Sequence, residues 1–117
     1  CGGEMPVDMV AIRRRTTHQG WGAEDQNYLD NFWHLLGGLA EAAKLRFVVF
    51  VTASDRVPLR GWDELRLVVQ KNGAADDRLP TAYTCFGLLL LPKYGSEEVL
   101  RKNLLQAITN SEGFGLQ

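Results

Sequence analysis

The clearest pattern along the chain is the recurrence of Leu29, Phe32, Trp33 and Leu36 at spacings of three and four, which predicts a helix of about three turns with one buried face. Gly37-Gly38 ends it. The next segment, Glu41 to Val51, holds Phe47-Val48-Val49-Phe50-Val51, a run that composition alone allows as a buried strand. Ala43, Phe47, Phe50 and Val51 fall on one helical face, so a second helix is the preferred reading. Ser54 to Gly61 contains Asp55, Pro58 and Gly61 and reads as a loop. Leu65, Leu67 and Val69 alternate with Arg66 and Gln70, the period of a half-buried strand. Leu88 to Leu91, bounded by Gly87 and Pro92, is short enough to be a fully buried strand. Ser96 then caps a helix with Glu97 and Glu98 in its first turn, where negative charge suits the helix dipole, and Leu100, Leu104 and Ile108 line one face. Gly113 and Gly115 flank Phe114 in a tail expected not to continue that helix.

Between these elements lie weaker signals. Val7 to Thr17 has little periodicity, Gly20-Trp21-Gly22 reads as a flexible joint, and Asn72-Gly73 through Arg78 is a polar connection carrying Asp76-Asp77. The order helix, helix, strand, loop, strand, helix predicts a small α/β domain, a mixed sheet packed with helices.

The 117 residues, 45% hydrophobic and 23% charged, suit one compact domain. A formal net charge of -1, with both signs spread along the chain, leaves no electrostatic footprint for nucleic acid or an anionic membrane, and Arg13 to Arg15 reads as a solvated patch. No apolar stretch approaches the ~20 residues of a membrane span, and no leader pattern opens the chain. Cys1 and Cys85 cannot build a disulfide framework, so the expected setting is reducing and intracellular, cytoplasmic and also open to the nucleus. With no initiator Met and a start on Cys1-Gly2-Gly3, the chain is expected to be a piece of a longer protein.

The stretch with chemical content is Leu79-Pro80-Thr81-Ala82-Tyr83-Thr84-Cys85-Phe86-Gly87. A lone cysteine beside an apolar strand is ordinarily a buried small hydrophobe. Cys85, however, sits between a polar loop with Pro80 and a short strand bounded by Gly87, a place where a thiol can reach a loop tip and react. Two histidines and two cysteines without ligand spacing disfavour zinc, and the glycines fit no phosphate-binding motif. His34 reads as a surface histidine, while Trp21, Trp33 and Trp62 read as anchors of joint and core.

This block, followed by Leu88, Leu90-Leu91-Pro92 and Tyr94, resembles the active-site region of HECT-type ubiquitin ligases, which show L-P-x-A-x-T-C-F, alternating apolar positions, then L-P-x-Y. Further matches are Phe32-Trp33, Phe50-Val51-Thr52 leading to Ser54-x-Arg56-x-Pro58 and Gly61, and the ending Gly113-Phe114-Gly115-Leu116. The resemblance implies a HECT C-lobe-like α/β fold over residues 26–117, with residues 1–25 as the end of the N-lobe and the interlobe hinge. It implies that Cys85 receives ubiquitin as a thioester from a conjugating enzyme docked on the N-lobe and passes it to a substrate lysine. Neither metal nor cofactor is needed for that chemistry. Thr84 is implied as a donor near the carbonyl oxygen or a loop brace, and Phe114 as an anchor of the tail during ligation. Asp76 and Asp77 read as loop solubilisers before catalytic carboxylates. Many family members carry His for Tyr83, Asn for Gly87 and Gly for Ala53. The rival reading from the residues is a non-catalytic module that binds ubiquitin or a partner, with Cys85 as buried packing.

Overall fold

The computed structural model describes residues 6–115, the stretch 111–115 by its helical backbone alone. Its elements in chain order are α1 (Met9–Arg15), β1 (Thr17–Gln19), α2 (Gln26–Gly37), α3 (Glu41–Thr52), β2 (Val68–Lys71), β3 (Thr81–Tyr83), β4 (Leu88–Leu91) and α4 (Glu97–Gly115), with short 3-10 turns at Ala23–Asp25 and Trp62–Glu64. This is an α/β fold built on a mixed four-stranded sheet in the order β1-β2-β4-β3. β1 and β4 both run parallel to β2, and β3 pairs antiparallel with β4 as a hairpin.

Local chemistry accounts for the helices. In α1 the Asp8 carboxylate accepts from the Ala11 N–H at 3.1 Å, a side-chain N-cap, and Arg13, Arg14 and Arg15 occupy the last turn, where the dipole favours cations. Met9, Ala11 and Ile12 face inward. α2 buries the anticipated face of Leu29, Phe32, Trp33 and Leu36 and stops at Gly38, whose N–H bonds back to the His34 carbonyl at 3.1 Å. α3 is a helix, as its facial spacing suggested over its strand-like composition, and Phe47, Val48 and Val51 enter the core. It ends on Ala53 at φ +61°, left-handed backbone that explains why a glycine suits this place in relatives of the motif.

Three expectations need correction. The strand expected at Leu65 to Val69 lies at Val68–Lys71, because a ladder needs a partner and β4 begins opposite Val68. α1, β1 and β3 were not anticipated; β1 and β3 are three residues each and too short to show a period. α4 continues through Gly113 to Gly115, since glycine weakens a helix by only about 1 kcal/mol and, unlike proline, does not break its hydrogen bonds.

The core joins all layers: Ile12, Phe32, Leu36, Phe47, Val51, Val69, Leu89, Leu91, Leu100 and Leu104 are fully buried in one cluster. Trp62 closes its N-terminal side and donates its indole N–H to the Pro6 carbonyl at 2.7 Å. Val68, Leu88 and Leu90 alternate with the buried Val69, Leu89 and Leu91 and stay partly exposed on the far side of the sheet.

Candidate functional site

The β3–β4 register, with Tyr83 opposite Leu88, leaves Thr84 to Gly87 as a four-residue loop. Two backbone bonds form it: Phe86 N–H to the Tyr83 carbonyl at 3.1 Å and Gly87 N–H to the Thr84 carbonyl at 3.4 Å. Gly87 closes the loop at φ +60°, and a Cβ there would stand 3.3 Å from the Arg66 carbonyl oxygen. Left-handed backbone favours Gly, with Asn the next best tolerated, so one local geometry accounts for both residues the family motif allows here. The Gly87 carbonyl accepts from Val68 N–H at 2.9 Å, which ties the loop to the neighbouring strand.

Cys85 stands at the tip of this loop and is exposed. Tyr83 and Phe86, two residues before it and one after, are 57% and 76% exposed, so two aromatic side chains of the same segment face solvent with it. Its reading as buried packing is therefore set aside. Thr84 is also exposed, and its hydroxyl makes no hydrogen bond among the described residues; the backbone holds the loop. The structure thus brings Cys85 and Thr84 together, whereas the side chain of Phe114 lies outside the described residues.

The approach to β3 is fixed from α4. Asp76 accepts from the Gly95 N–H at 2.9 Å, and its carbonyl accepts from Asn103 Nδ2 at 2.8 Å. Tyr94, in the L-P-x-Y element, donates its hydroxyl to the Arg78 carbonyl at 2.5 Å, and burial pushes its pKa up to about 12, so the donor stays protonated. Asp76 is a brace for the loop that carries the hairpin.

At the other end of the sheet lies a constellation the sequence reading missed. Asp25 is fully buried and accepts from Lys71 Nζ at 3.0 Å, Lys93 Nζ at 2.5 Å and the Gly22 N–H at 2.9 Å. The Lys93 ammonium foremost, then the Gly22 amide and Lys71, hold its carboxyl well below the usual range. Trp21 stacks on Tyr28 with ring centroids 5.7 Å apart and donates its indole N–H to the Val69 carbonyl at 3.0 Å. The joint expected to be flexible is held on every side. The only hint in sequence was an acid three residues after Gly22 at a helix start, the outline of a capping box. His18 is half-buried and accepts from the Trp33 indole N–H at 3.0 Å, and burial together with Arg13 lowers its pKa. His34 is exposed, as expected.

Among the described residues no three His, Cys, Asp or Glu side chains cluster as a metal site, and no helix is long and apolar enough to cross a membrane. The geometry offers an accessible thiol on a fixed hairpin, suited to attack on a carbonyl presented from outside.

The sequence pattern of the family described as HECT-domain (ubiquitin-transferase) matches residues 1–117. Among similar proteins, the human probable E3 ubiquitin-protein ligase HERC4 is 38% identical over 114 residues, covering 97% of this chain and 11% of its own length. The mouse probable E3 ubiquitin-protein ligase HECTD2 is 37% identical over 115 residues, covering 98% of this chain and 15% of its own. A probable E3 ubiquitin protein ligase of Schizosaccharomyces pombe is 37% identical over 116 residues, 97% of this chain and 11% of its own length. The chain therefore spans a small part of the relatives it matches.

Proposed function

The chain belongs to the HECT-domain (ubiquitin-transferase) family, and from that premise we propose that it is the catalytic lobe that carries ubiquitin on Cys85. The observation that supports this most directly is the exposed thiol at the tip of the β3–β4 hairpin, inside the motif that the family resemblance assigns to the nucleophile.

Cys85 thiolate attacks the carbonyl carbon of the thioester between ubiquitin's C-terminus and the conjugating enzyme. A new C–S bond forms at Cys85, and the conjugating enzyme's cysteine leaves as thiolate. A substrate lysine amine then attacks the Cys85 thioester; the amide forms, the amine loses a proton, and Cys85 is released as thiolate. One thioester replaces another in the first step, so the protein's contribution is mainly positioning, which can be worth several kcal/mol. Thr84 donates toward the carbonyl oxygen, a role supported by its exposure and its place next to Cys85 in the chain. β1 pairs with β2, and Val7, Met9 and Ile12 share the core of the later elements, so we read the catalytic lobe as reaching back to Val7 instead of starting at residue 26, with the conjugating enzyme docking on N-lobe sequence outside that core. Phe114 positions the tail during ligation.

The test is to charge a two-lobe protein that contains this chain with ubiquitin from a loaded conjugating enzyme. Wild type should form an adduct released by reductant, Cys85→Ser a reductant-resistant oxyester, and Cys85→Ala none; an adduct surviving Cys85→Ala ends the proposal. Phe114→Ala in a two-lobe protein should leave adduct formation intact and stop delivery to lysine, and parallel loss of both steps with a lowered Tm would reduce Phe114 to packing.

A further inference from the structure

β3 is the outermost strand of the sheet, pairs only with β4, and runs for three residues. Thr81 and Tyr83 are exposed, Ala82 is half-buried, and no β3 side chain belongs to the core cluster. A strand with so little apolar patterning does little to choose its own register. A competing register lies two residues away. Sliding β3 by that step keeps Ala82 on its own face, pairs Cys85 with Leu88 in place of Tyr83, and leaves Phe86-Gly87 as a two-residue loop, a length that hairpins commonly use. It would draw the thiol off the tip and into the ladder.

Just ahead of β3 the chain is gripped by two buried side chains. Tyr94 donates its hydroxyl to the Arg78 carbonyl at 2.5 Å, and Asn103 on α4 donates from Nδ2 to the Asp76 carbonyl at 2.8 Å. Asn103 also lies against the Tyr94 hydroxyl, so the two donors work as one clamp. The connection they hold is seated on the end of β4: the Leu91 carbonyl accepts from Asn72 N–H at 3.0 Å, and Lys93 N–H donates to the Gly73 carbonyl at 2.8 Å. Only Leu79 and the buried Pro80 separate the clamp from Thr81. With the clamp closed, the slipped register would crowd Leu79 to Ala82 into the span those two residues now fill, and would expel Pro80.

We propose that Tyr94 and Asn103 are positioning residues for Cys85: by holding the Arg78 and Asp76 carbonyls they set the register of β3 on β4, and that register puts Cys85 at the loop tip. The consequence for transfer rests on the Cys85 reading above; the register does not. Neither side chain touches the reacting atoms. They act through the strand, by keeping the thiol where a thioester from outside can meet it.

Tyr94→Phe removes one oxygen, and Asn103→Leu keeps the volume while removing the donor. Loss of both bonds should shift the balance of registers by an order of magnitude or more. In the 117-residue chain carrying both changes, NMR should show a second set of signals for Thr81 to Phe86, with cross-strand NOEs from Cys85 to Leu88 beside those from Tyr83 to Leu88. In a two-lobe protein that contains the chain, kcat for charging from a loaded conjugating enzyme should fall about threefold or more, with KM within twofold. Tyr94→Phe alone should show the same changes in smaller measure, which keeps the test open if the double variant does not fold. Ile108→Val, buried on the core face of α4, serves as the control: at temperatures where it and the clamp variants are equally far below their Tm, it should charge like wild type. A single set of signals with the Tyr83 to Leu88 NOEs intact overturns the clamp. Unchanged kcat in a chain whose register has slipped overturns the positioning role, and so does an equal loss in Ile108→Val, which would reduce the pair to general support of the fold. A wild-type protein that takes no ubiquitin on Cys85 defeats the reading of the site, and the NOEs then decide the register on their own.

Discussion

The two ends of the sheet are held by different means. At the hairpin end, backbone bonds and one left-handed glycine define the loop, and the side chains of Tyr83, Thr84, Cys85 and Phe86 are left to solvent. At the joint end, side chains do the holding: Asp25 with two lysines, Trp21 on Tyr28, His18 with Trp33. Backbone bonding fixes a loop without consuming its side chains, which suits a place where outside groups must approach a thiol. Side-chain bonding fixes one segment against others distant in sequence, which ties the polar stretch around Asp25 to both central strands.

Removing what the two ends share should have the largest effect. Leu89 is fully buried on β4 between β2 and β3, and Leu89→Ala should cost about 2 to 5 kcal/mol and weaken both ends together, as read from urea unfolding with Trp fluorescence and Cys85 alkylation as separate probes. Divergent transitions would show that the ends are independent units.

An effect confined to the hairpin should follow from Gly87→Val. A β-branched side chain at φ +60°, pressed on the Arg66 carbonyl, should cost about 1 to 3 kcal/mol and change the Cys85 alkylation rate, while Gly87→Asn stays near wild type. Equal penalties for Val and Asn would mean that contact, not backbone conformation, sets the choice of residue.

The joint side should answer to pH. His18 must be unprotonated at Nε2 to accept from Trp33, and its pKa in the fold lies below the ordinary 6.5. Its contribution is therefore complete above that ordinary value and lost as pH falls through it toward the folded-state pKa, because the unfolded chain then binds more protons. Tm should drop between about pH 7.5 and 5.5, and His18→Gln should flatten the curve. A parallel drop in the variant would assign the pH response to other groups.

The smallest effect, a gain, belongs to neither end. Ala53→Gly relieves left-handed backbone after α3 and should raise stability by up to about 1 kcal/mol, part of the relief being offset by the looser unfolded chain. A lowered Tm would show that Ala53 is not strained.

What could be read from sequence follows the same division. α2 and α4 were legible because an apolar face repeats within each, with Ser96 marking the start of the last helix, and β4 because four leucines stand between Gly87 and Pro92, although Leu88 and Leu90 are partly exposed where full burial was expected. β1 has only Thr17, His18 and Gln19, and its place depends on Val69 and Trp33 far along the chain. Asp25 looked like one more acid in a polar joint, since its lysines are 46 and 68 positions away. Cys85 was legible through the motif around it, for composition alone would have buried it; its exposure follows from a loop conformation that Gly87 permits.

The sheet order also carries a timetable. The β3–β4 hairpin closes over a few neighbouring residues, an event of microseconds, whereas β1 pairs with β2 across Thr17 to Val68 and must wait for a distant partner. On the ribosome, adding about fifty residues at roughly 5 to 20 per second leaves β1 unmatched for ~3 to 10 seconds. A nascent strand of Thr, His and Gln, with no apolar side chain and only three residues long, is a poor template for stray pairing during that interval. The polar character that hid β1 from periodicity thus protects the growing chain until its neighbour arrives.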